Sequence, residues 1–417
     1  MQLNDQQADA MTKIVDWYKD PFTPFRLFGY AGTGKTTLAA RVAKALGVTP
    51  VFGTYTGKAA SVLQRKGVDG QTIHSSIYRP VGTAETLRKL ERAQEELELA
   101  KASPSLNHLN EGPDIIAELE AEVAGLEREA KTVGFVLNPD SEWGQAGLIV
   151  LDEVSMVNAK VGQDIESFGA PILVLGDPAQ LPPVEGGGYF TDAEPDAMLT
   201  EVMRNGDAVL DLATRIRQST RRDYGLTEAD VRPVSFDEAM AADQVLVWKN
   251  ATRWSLTEGI RLRLGRPKGQ PVVGDRVMCL TNNKDLGILN GQQFDVQEVQ
   301  PAPLGPKLLL AEVDAGKPAR WINTYADGFI SQQAEADMKR NNRTHQGQRG
   351  AFTFANVITV HKAQGSEWGS VYVVDQTAGV VSMAGKDMGR LAAVDMGRRW
   401  LYTAVSRAQR EVVIARR

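Results

Sequence analysis

The segment "FRLFGYAGTGKTTLAARVAKAL", residues 25–46, constrains the fold more than any other stretch. It sets G-x-x-x-x-G-K-T between an apolar strand-like run and a helix-like run, the strand–loop–helix context of a phosphate loop. Gly29, Ala31, Gly32, Thr33, Gly34, Lys35, Thr36 and Thr37 form that loop and the turn that follows it. Glycines let successive backbone N–H groups converge on phosphate oxygens at a helix N-terminus. Lys35 suits the charge of β- and γ-phosphates, and the Thr36 hydroxyl suits Mg2+. An ordinary Gly-rich turn would need neither the lysine nor the flanking elements.

Two further apolar runs end in polar groups of the right kind. "AGLIVLDEVSMV" reads as a buried strand closed by Asp152 and Glu153, a metal-organising carboxylate beside one that can orient an attacking water. "PILVLGDPAQLPPV" ends in Gly176, Asp177 and Gln180, where an amide can contact a γ-phosphate. Strands interleaved with helical stretches predict a parallel α/β sheet with its ligand at the strands' carboxyl ends. "FANVITVHKAQGSEWGSVYVVD" and "RRWLYTAVSRAQREVVIARR" imply a second α/β domain without a phosphate loop of its own. If that domain faces the first across a nucleotide, Arg407 becomes a candidate arginine finger; alone it reads as a solvated helix residue.

Composition narrows the classes. A chain of 417 residues with 42% hydrophobic content can bury several cores, and no apolar run is long enough to span a bilayer. The polar N-terminus carries no secretory pattern, so a cytoplasmic protein without a membrane partner is expected. One cysteine, Cys279, and four histidines argue against a structural metal centre. Net charge is −5, but residues 85–131 hold twelve acidic and six basic side chains, 6 − 12 = −6, which leaves −5 + 6 = +1 elsewhere. The acidity is local.

Taken in order, these motifs resemble superfamily 1 helicases, and more narrowly the RecD-like branch that includes the phage Dda helicase. "GDPAQLPPV" and "TVHKAQGSEW" have the RecD-like form, and the likeness runs from "LNDQQ" to "YTAVSRAQ" except over residues 85–131. The resemblance implies an α/β fold of two RecA-like motor domains, with a helical-hairpin insertion in the first and a small SH3-like β insertion in the second. It also implies ATP and Mg2+, with 5′→3′ translocation on single-stranded DNA. Single-stranded and forked DNA would be the partners of a monomeric motor serving replication, recombination or repair in a bacterial or phage-infected cell. An RNA helicase of the same superfamily and an ATP-switched subunit of a larger complex remain open.

Residue by residue, Gln7 resembles the adenine-reading glutamine, with Gln6 one register away. "TYTGKAASVL" offers Thr54, Thr56 and Lys58 to nucleic acid, and "QTIHSSIY" offers His74. "LTEVMRN" places Arg204 where family members reach the γ-phosphate, and Asn250 and Arg253 fall in the second domain's first helix. Thr359 and His361 would lie on the nucleic-acid side and Glu367 near the ribose, while Ala363 stands where relatives often have Ser.

The expected boundaries are 1–80 and 141–207 for the first motor domain, 81–140 for its insertion, 208–270 and 356–417 for the second, and 271–355 for the β insertion. "AEADMKRNNRTHQGQRG", with Lys339, Arg340, Arg343 and Arg349, reads as a basic loop. Within residues 85–131, Ile116, Leu119, Val123, Leu126 and Ala130 form one apolar stripe and Leu87, Leu90 and Leu97 a weaker one. Two arms of about 18 residues, roughly 27 Å each, predict an antiparallel helical pair. "IYRPV" and "VGFVLNP" would form its short β base. The pair is read as a strut, as a docking arm for a replication or recombination protein, or as a passive insertion; its acidity disfavours tracking of phosphates.

Overall fold

The computed structural model describes residues 3–65, 67–80, 93, 97, 115–131, 135–182, 188–191, 193–201, 208–283, 285–302, 305–313, 316–340 and 349–416. The chain divides into two units, residues 1–73 with 145–417, and residues 74–144.

The larger unit contains two parallel sheets. The first, in spatial order, is Gly70–Thr72, Pro50–Thr54, Leu148–Asp152, Ile172–Gly176, Phe25–Gly29 and Ala197–Leu199, every neighbour pair parallel. Leu148 to Leu151 and Ile172 to Gly176 are buried throughout, as expected of strands covered on both faces. Because all six run the same way, Gly29, Thr54, Asp152 and Gly176 finish at one edge. That edge is where a doubly covered sheet leaves room for a ligand.

The second sheet is Val357–Thr359, Gln244–Val247, Trp368–Val374, Ala408–Arg416 and Val231–Pro233, again all parallel. Its edge strand Val231–Pro233 gave no signal in the sequence. Helix Ala208–Gln218 adds Val209, Leu212, Ala213 and Ile216 to this lobe's core, beside Trp400, Leu401 and Tyr402. The expected α/β class of two RecA-like sheets is present.

A third sheet joins Arg349–Gly350, Arg320–Thr324, Lys307–Glu312, Gln293–Gln300, Arg276–Cys279 and Phe352–Phe354, antiparallel except where Asn323 and Thr324 pair with Arg349 and Gly350. Val277, Phe294, Leu308, Ile322, Phe352 and Phe354 fill it. The stretch read as a basic loop begins instead as a helix, Gln332–Arg340, and residues 341–348 lie outside the described residues. Met338 and Glu335 are the helix's buried positions, and Glu335 forms ion pairs with Arg253 and with Lys339, the latter at 2.6 Å. Arg349 donates to the Thr324 carbonyl at 3.2 Å. Arg343 lies outside the described residues.

In the smaller unit Tyr78–Pro80 runs antiparallel to Phe135–Leu137, with Tyr78 opposite Leu137 and Pro80 opposite Phe135. Ile115–Lys131 is a helix in which Ile116, Leu119, Val123 and Leu126 are half-buried and the acidic positions Glu118, Glu120 and Glu122 exposed. Ala93 and Leu97 are buried and helical, four residues apart. Leu87, Leu90 and the turn at 103–114 lie outside the described residues. Among the described residues no helix is long and apolar enough to cross a membrane.

Candidate active site between the parallel sheets

The phosphate loop takes its shape from two left-handed glycines, Gly32 at φ 78° and Gly34 at φ 80°. Gly34 caps helix Lys35–Leu46 without a side-chain bond, so the first-turn N–H groups keep their donors for an anion. A Cβ at Gly29 would sit 2.7 Å from Thr33 Oγ1 and 2.9 Å from the Leu199 carbonyl, which leaves glycine as the residue that fits. Lys35 Nζ donates to the Gly29 and Tyr30 carbonyls at 2.7 and 3.0 Å, bracing the loop from inside.

Opposite the loop, the Thr36 hydroxyl donates to Asp152 Oδ2 at 2.8 Å. Asp152 Oδ1 accepts the Glu153 N–H at 2.8 Å, and Glu153 adopts φ 56°, a left-handed conformation uncommon for a residue with a Cβ. Burial pushes the Glu153 carboxyl above the usual carboxylate range. Arg407 is the strongest charge pulling it back, Asp152 pushes in the same direction as burial, and Lys35 opposes it. Gln180 is buried at the cleft wall, and its Oε1 has no hydrogen-bond partner among the described residues.

The second lobe closes the other wall. Arg407 is 3% exposed, held by Nε to the Thr403 carbonyl at 3.2 Å and by Nη2 to Ser406 Oγ at 3.1 Å. Glu367 Oε2 accepts from Gln409 Nε2 at 3.0 Å. Lys35, Thr36, Asp152, Glu153 and Gln180 thus share one cleft of about 900 Å3 with Glu367 and Arg407.

Other expected residues fall in different places. Gln7 is buried against the loop, its Nε2 donating to the Thr33 carbonyl at 3.1 Å and its Oε1 accepting the Asn4 N–H at 3.3 Å. Gln6 instead holds the backbone N–H of Thr200 at 2.8 Å and of Glu201 at 3.1 Å, so the phosphate loop meets Gln7. Asp177, expected with the nucleotide-binding residues, is 5% exposed just past its strand. Its Oδ1 accepts the Ala179 N–H at 3.0 Å and its Oδ2 the Tyr402 hydroxyl at 2.7 Å, so its carboxylate is engaged by protein. Arg204 lies outside the described residues.

Thr54, offered to nucleic acid with Thr56 and Lys58, lies at the wall of the cleft. It is fully buried, with its hydroxyl donating to the Thr56 carbonyl at 2.9 Å, because it ends a covered strand and shapes the loop beyond it. Thr56 Oγ1 accepts the Ala59 N–H at 3.2 Å, and Lys58 is 7% exposed at the start of helix Gly57–Arg65. A Cβ at Gly365 would lie 2.8 Å from Ala59 Cβ and 3.1 Å from Thr56 Oγ1, so Gly365 packs against the Thr56–Ala59 turn. Thr359 is buried at its strand's end, and burial lowers the His361 pKa. In the smaller unit His74 is exposed, its ring 5.6 Å from that of Tyr78.

Sequence reading missed a second set on helix Arg390–Val405. Arg399, Tyr402 and Thr403 bond to the turn around Gln180, and their 3-4 spacing toward Arg407 places them on one face. That periodicity was the available signal. Arg253, expected in the second domain's first helix, is buried in its ion pair with Glu335.

The AAA domain family model matches residues 2–230, and the UvrD-like helicase C-terminal domain model matches residues 354–415. No curated protein matches the chain. Among solved structures it is similar to Bacteroides Pif1 bound to ssDNA, at 17% identity and TM-score 0.54, covering 99% of this chain and 92% of that one. A structure of two coordinating Pif1 helicases at forked dsDNA gives the same identity, coverage and TM-score, 17%, 99%, 92% and 0.54. Bacteroides Pif1 with ADP-AlF3 and ssDNA gives 17%, the same 99% and 92%, and TM-score 0.51. At this identity the likeness is one of fold.

Proposed function

We propose, from the premise that this chain belongs to the AAA domain family, that it is an ATP-dependent DNA helicase of superfamily 1 that moves 5′→3′ on single-stranded DNA. The carrying observation is the two-sided cleft, with Lys35, Thr36, Asp152, Glu153 and Gln180 on one parallel-sheet lobe and Arg407 and Glu367 on the other. Hydrolysis that needs groups from both lobes is sensitive to every change in their separation. Lobe closure and nucleotide turnover are then one event.

The donor chemistry fits ATP with Mg2+. Loop N–H groups and Lys35 would hold the β- and γ-phosphates, and Gln7, packed against the loop, would read the base. Thr36 and Asp152 would hold Mg2+, two hard oxygen donors suited to an ion that would supply neutralisation of phosphate charge. Glu153, ionised, orients and deprotonates the attacking water. The free Gln180 Oε1 is an acceptor suited to that water, while its amide can donate to a phosphate oxygen. Arg407 stabilises charge developing on the transferred phosphoryl group, an effect of roughly 10³–10⁵-fold for arginine fingers.

Support for the nucleic-acid path comes from Gly365 of the second lobe lying against Thr56 and Ala59 of the first. Solved structures of similar fold are Pif1 helicases bound to ssDNA or acting at forked dsDNA. Residues 85–131, net −6, are read as a protein-docking arm that leaves the chemistry untouched. ATP hydrolysis measured with and without single-stranded DNA tests the reading. Stimulation that disappears in Glu153→Gln is expected, and hydrolysis indifferent to DNA would overturn it.

A further inference from the structure

One turn of the first lobe is gripped along its length by the second. Arg399 Nη1 donates to the Pro178 carbonyl at 2.8 Å, Thr403 Oγ1 accepts the Leu181 N–H at 2.9 Å, and Gln364 Nε2 donates to the Leu181 carbonyl at 3.3 Å. Tyr402, 2% exposed, reaches further than these. Its hydroxyl donates to Asp177 Oδ2 at 2.7 Å and accepts the N–H of Ala31, in the phosphate loop, at 3.4 Å. A single oxygen on the second lobe therefore touches both the loop that receives phosphate and the turn that carries Gln180.

The two contacts differ in strength. The bond to Asp177 is short and charge-assisted, whereas the one from Ala31 is long and joins neutral groups. A phosphate oxygen, fully charged, is the better acceptor for Ala31 and would displace the tyrosine there. The Asp177 bond has no such competitor. Asp177 Oδ1 meanwhile fixes the start of the turn through the Ala179 N–H, one residue before Gln180. Without the hydroxyl, Oδ2 of a carboxylate only 5% exposed would lose its donor, and the turn would shift to rehydrate it.

We propose that Tyr402 is a positioning residue for the nucleotide site: through Asp177 it sets the turn that presents Gln180 to the γ-phosphate, and at Ala31 it holds the place of a phosphate oxygen. The proposal rests on the reading of the cleft as an ATP site. It makes recognition of the third phosphate depend on a hydroxyl from the opposite lobe.

The test is the ratio of affinities for a non-hydrolysable triphosphate and for ADP, both with Mg2+, in the full chain. Tyr402→Phe should lower that ratio roughly tenfold, the worth of one charge-assisted hydrogen bond, while ADP affinity is kept or improved because Ala31 loses a competitor. Asp177→Asn should cause the same loss, and the double variant no more than either single one. An unchanged ratio in Tyr402→Phe, or losses that add in the double variant, would overturn the proposal. Should Tyr402→Phe fail to fold, Asp177→Asn tests the same bond from the first lobe. A wild-type protein that binds neither nucleotide would remove the ATP-site reading and the proposal with it, an outcome distinct from an unchanged ratio.

Discussion

Arg407 of the second lobe exerts the strongest charge effect on the Glu153 carboxyl of the first, although 254 residues of sequence separate them (407 − 153). Burial raises the carboxyl's pKa and the guanidinium lowers it, so the protonation state of the group that handles water depends on where the other lobe stands. A cleft that opens loses this correction.

The pH profile should carry that dependence. Glu153 must be ionised to act, so kcat/KM is expected to fall on the acid side at a pH above the usual carboxylate range. Arg407→Ala removes the positive charge that favours the ionised form, so the acid limb of its residual ATPase should move to higher pH. Turnover should drop by about 10³-fold or more with nucleotide binding largely retained. A limb that stays in place or moves to lower pH would separate Arg407 from Glu153.

A second expectation concerns stability. Arg253 and Glu335 are both buried and ion-paired, with Lys339 and the Thr353 hydroxyl completing the group. Burial raises the Glu335 pKa, but Arg253 and Lys339 outweigh it and hold the carboxyl below its ordinary value. Its contribution is therefore present above the unfolded carboxylate pKa and lost as pH falls through the lowered folded value. Glu335→Ala leaves a buried guanidinium without its partner and should cost about 3–5 kcal/mol in denaturant unfolding at neutral pH. A loss below about 1 kcal/mol, the range of exposed pairs, would contradict the burial of this pair.

The legible part of the protein was the part whose chemistry is local. Gly34, Lys35 and Thr36 sit in one loop, and Asp152, Glu153, Asp177 and Gln180 follow apolar runs that could only be covered strands. Parallel strands bring such ends to one edge without any further information. Tyr402 and Asp177 could not be joined this way, because they are 225 positions apart and meet only when the lobes are assembled. A strand-end threonine such as Thr54 can face either a ligand or its own loop, and here its hydroxyl donates to the Thr56 carbonyl. Helix Gln332–Arg340 was missed because its buried face is narrow, with Met338 its large apolar side chain and Glu335 a charge that requires a partner from another element.

The acidic insertion offers a third expectation. Helix Ile115–Lys131 turns its half-buried stripe of Ile116, Leu119, Val123 and Leu126 away from a charged outer face. Deleting residues 85–131 should leave ATP hydrolysis within about twofold of wild type, the scale of surface changes remote from a site, while altering strand separation or capture of a partner protein. Loss of nucleotide binding in the deletion would refute the view of this arm as separate from the chemistry.

The most direct measurement of the whole account is strand separation on duplexes bearing a single-stranded tail at only one end, followed with ATP and Mg2+. The 5′-tailed duplex should be unwound, the 3′-tailed one little or not at all, and Glu153→Gln should abolish the unwinding. Separation that proceeds without ATP, or that prefers the 3′ tail, would contradict it.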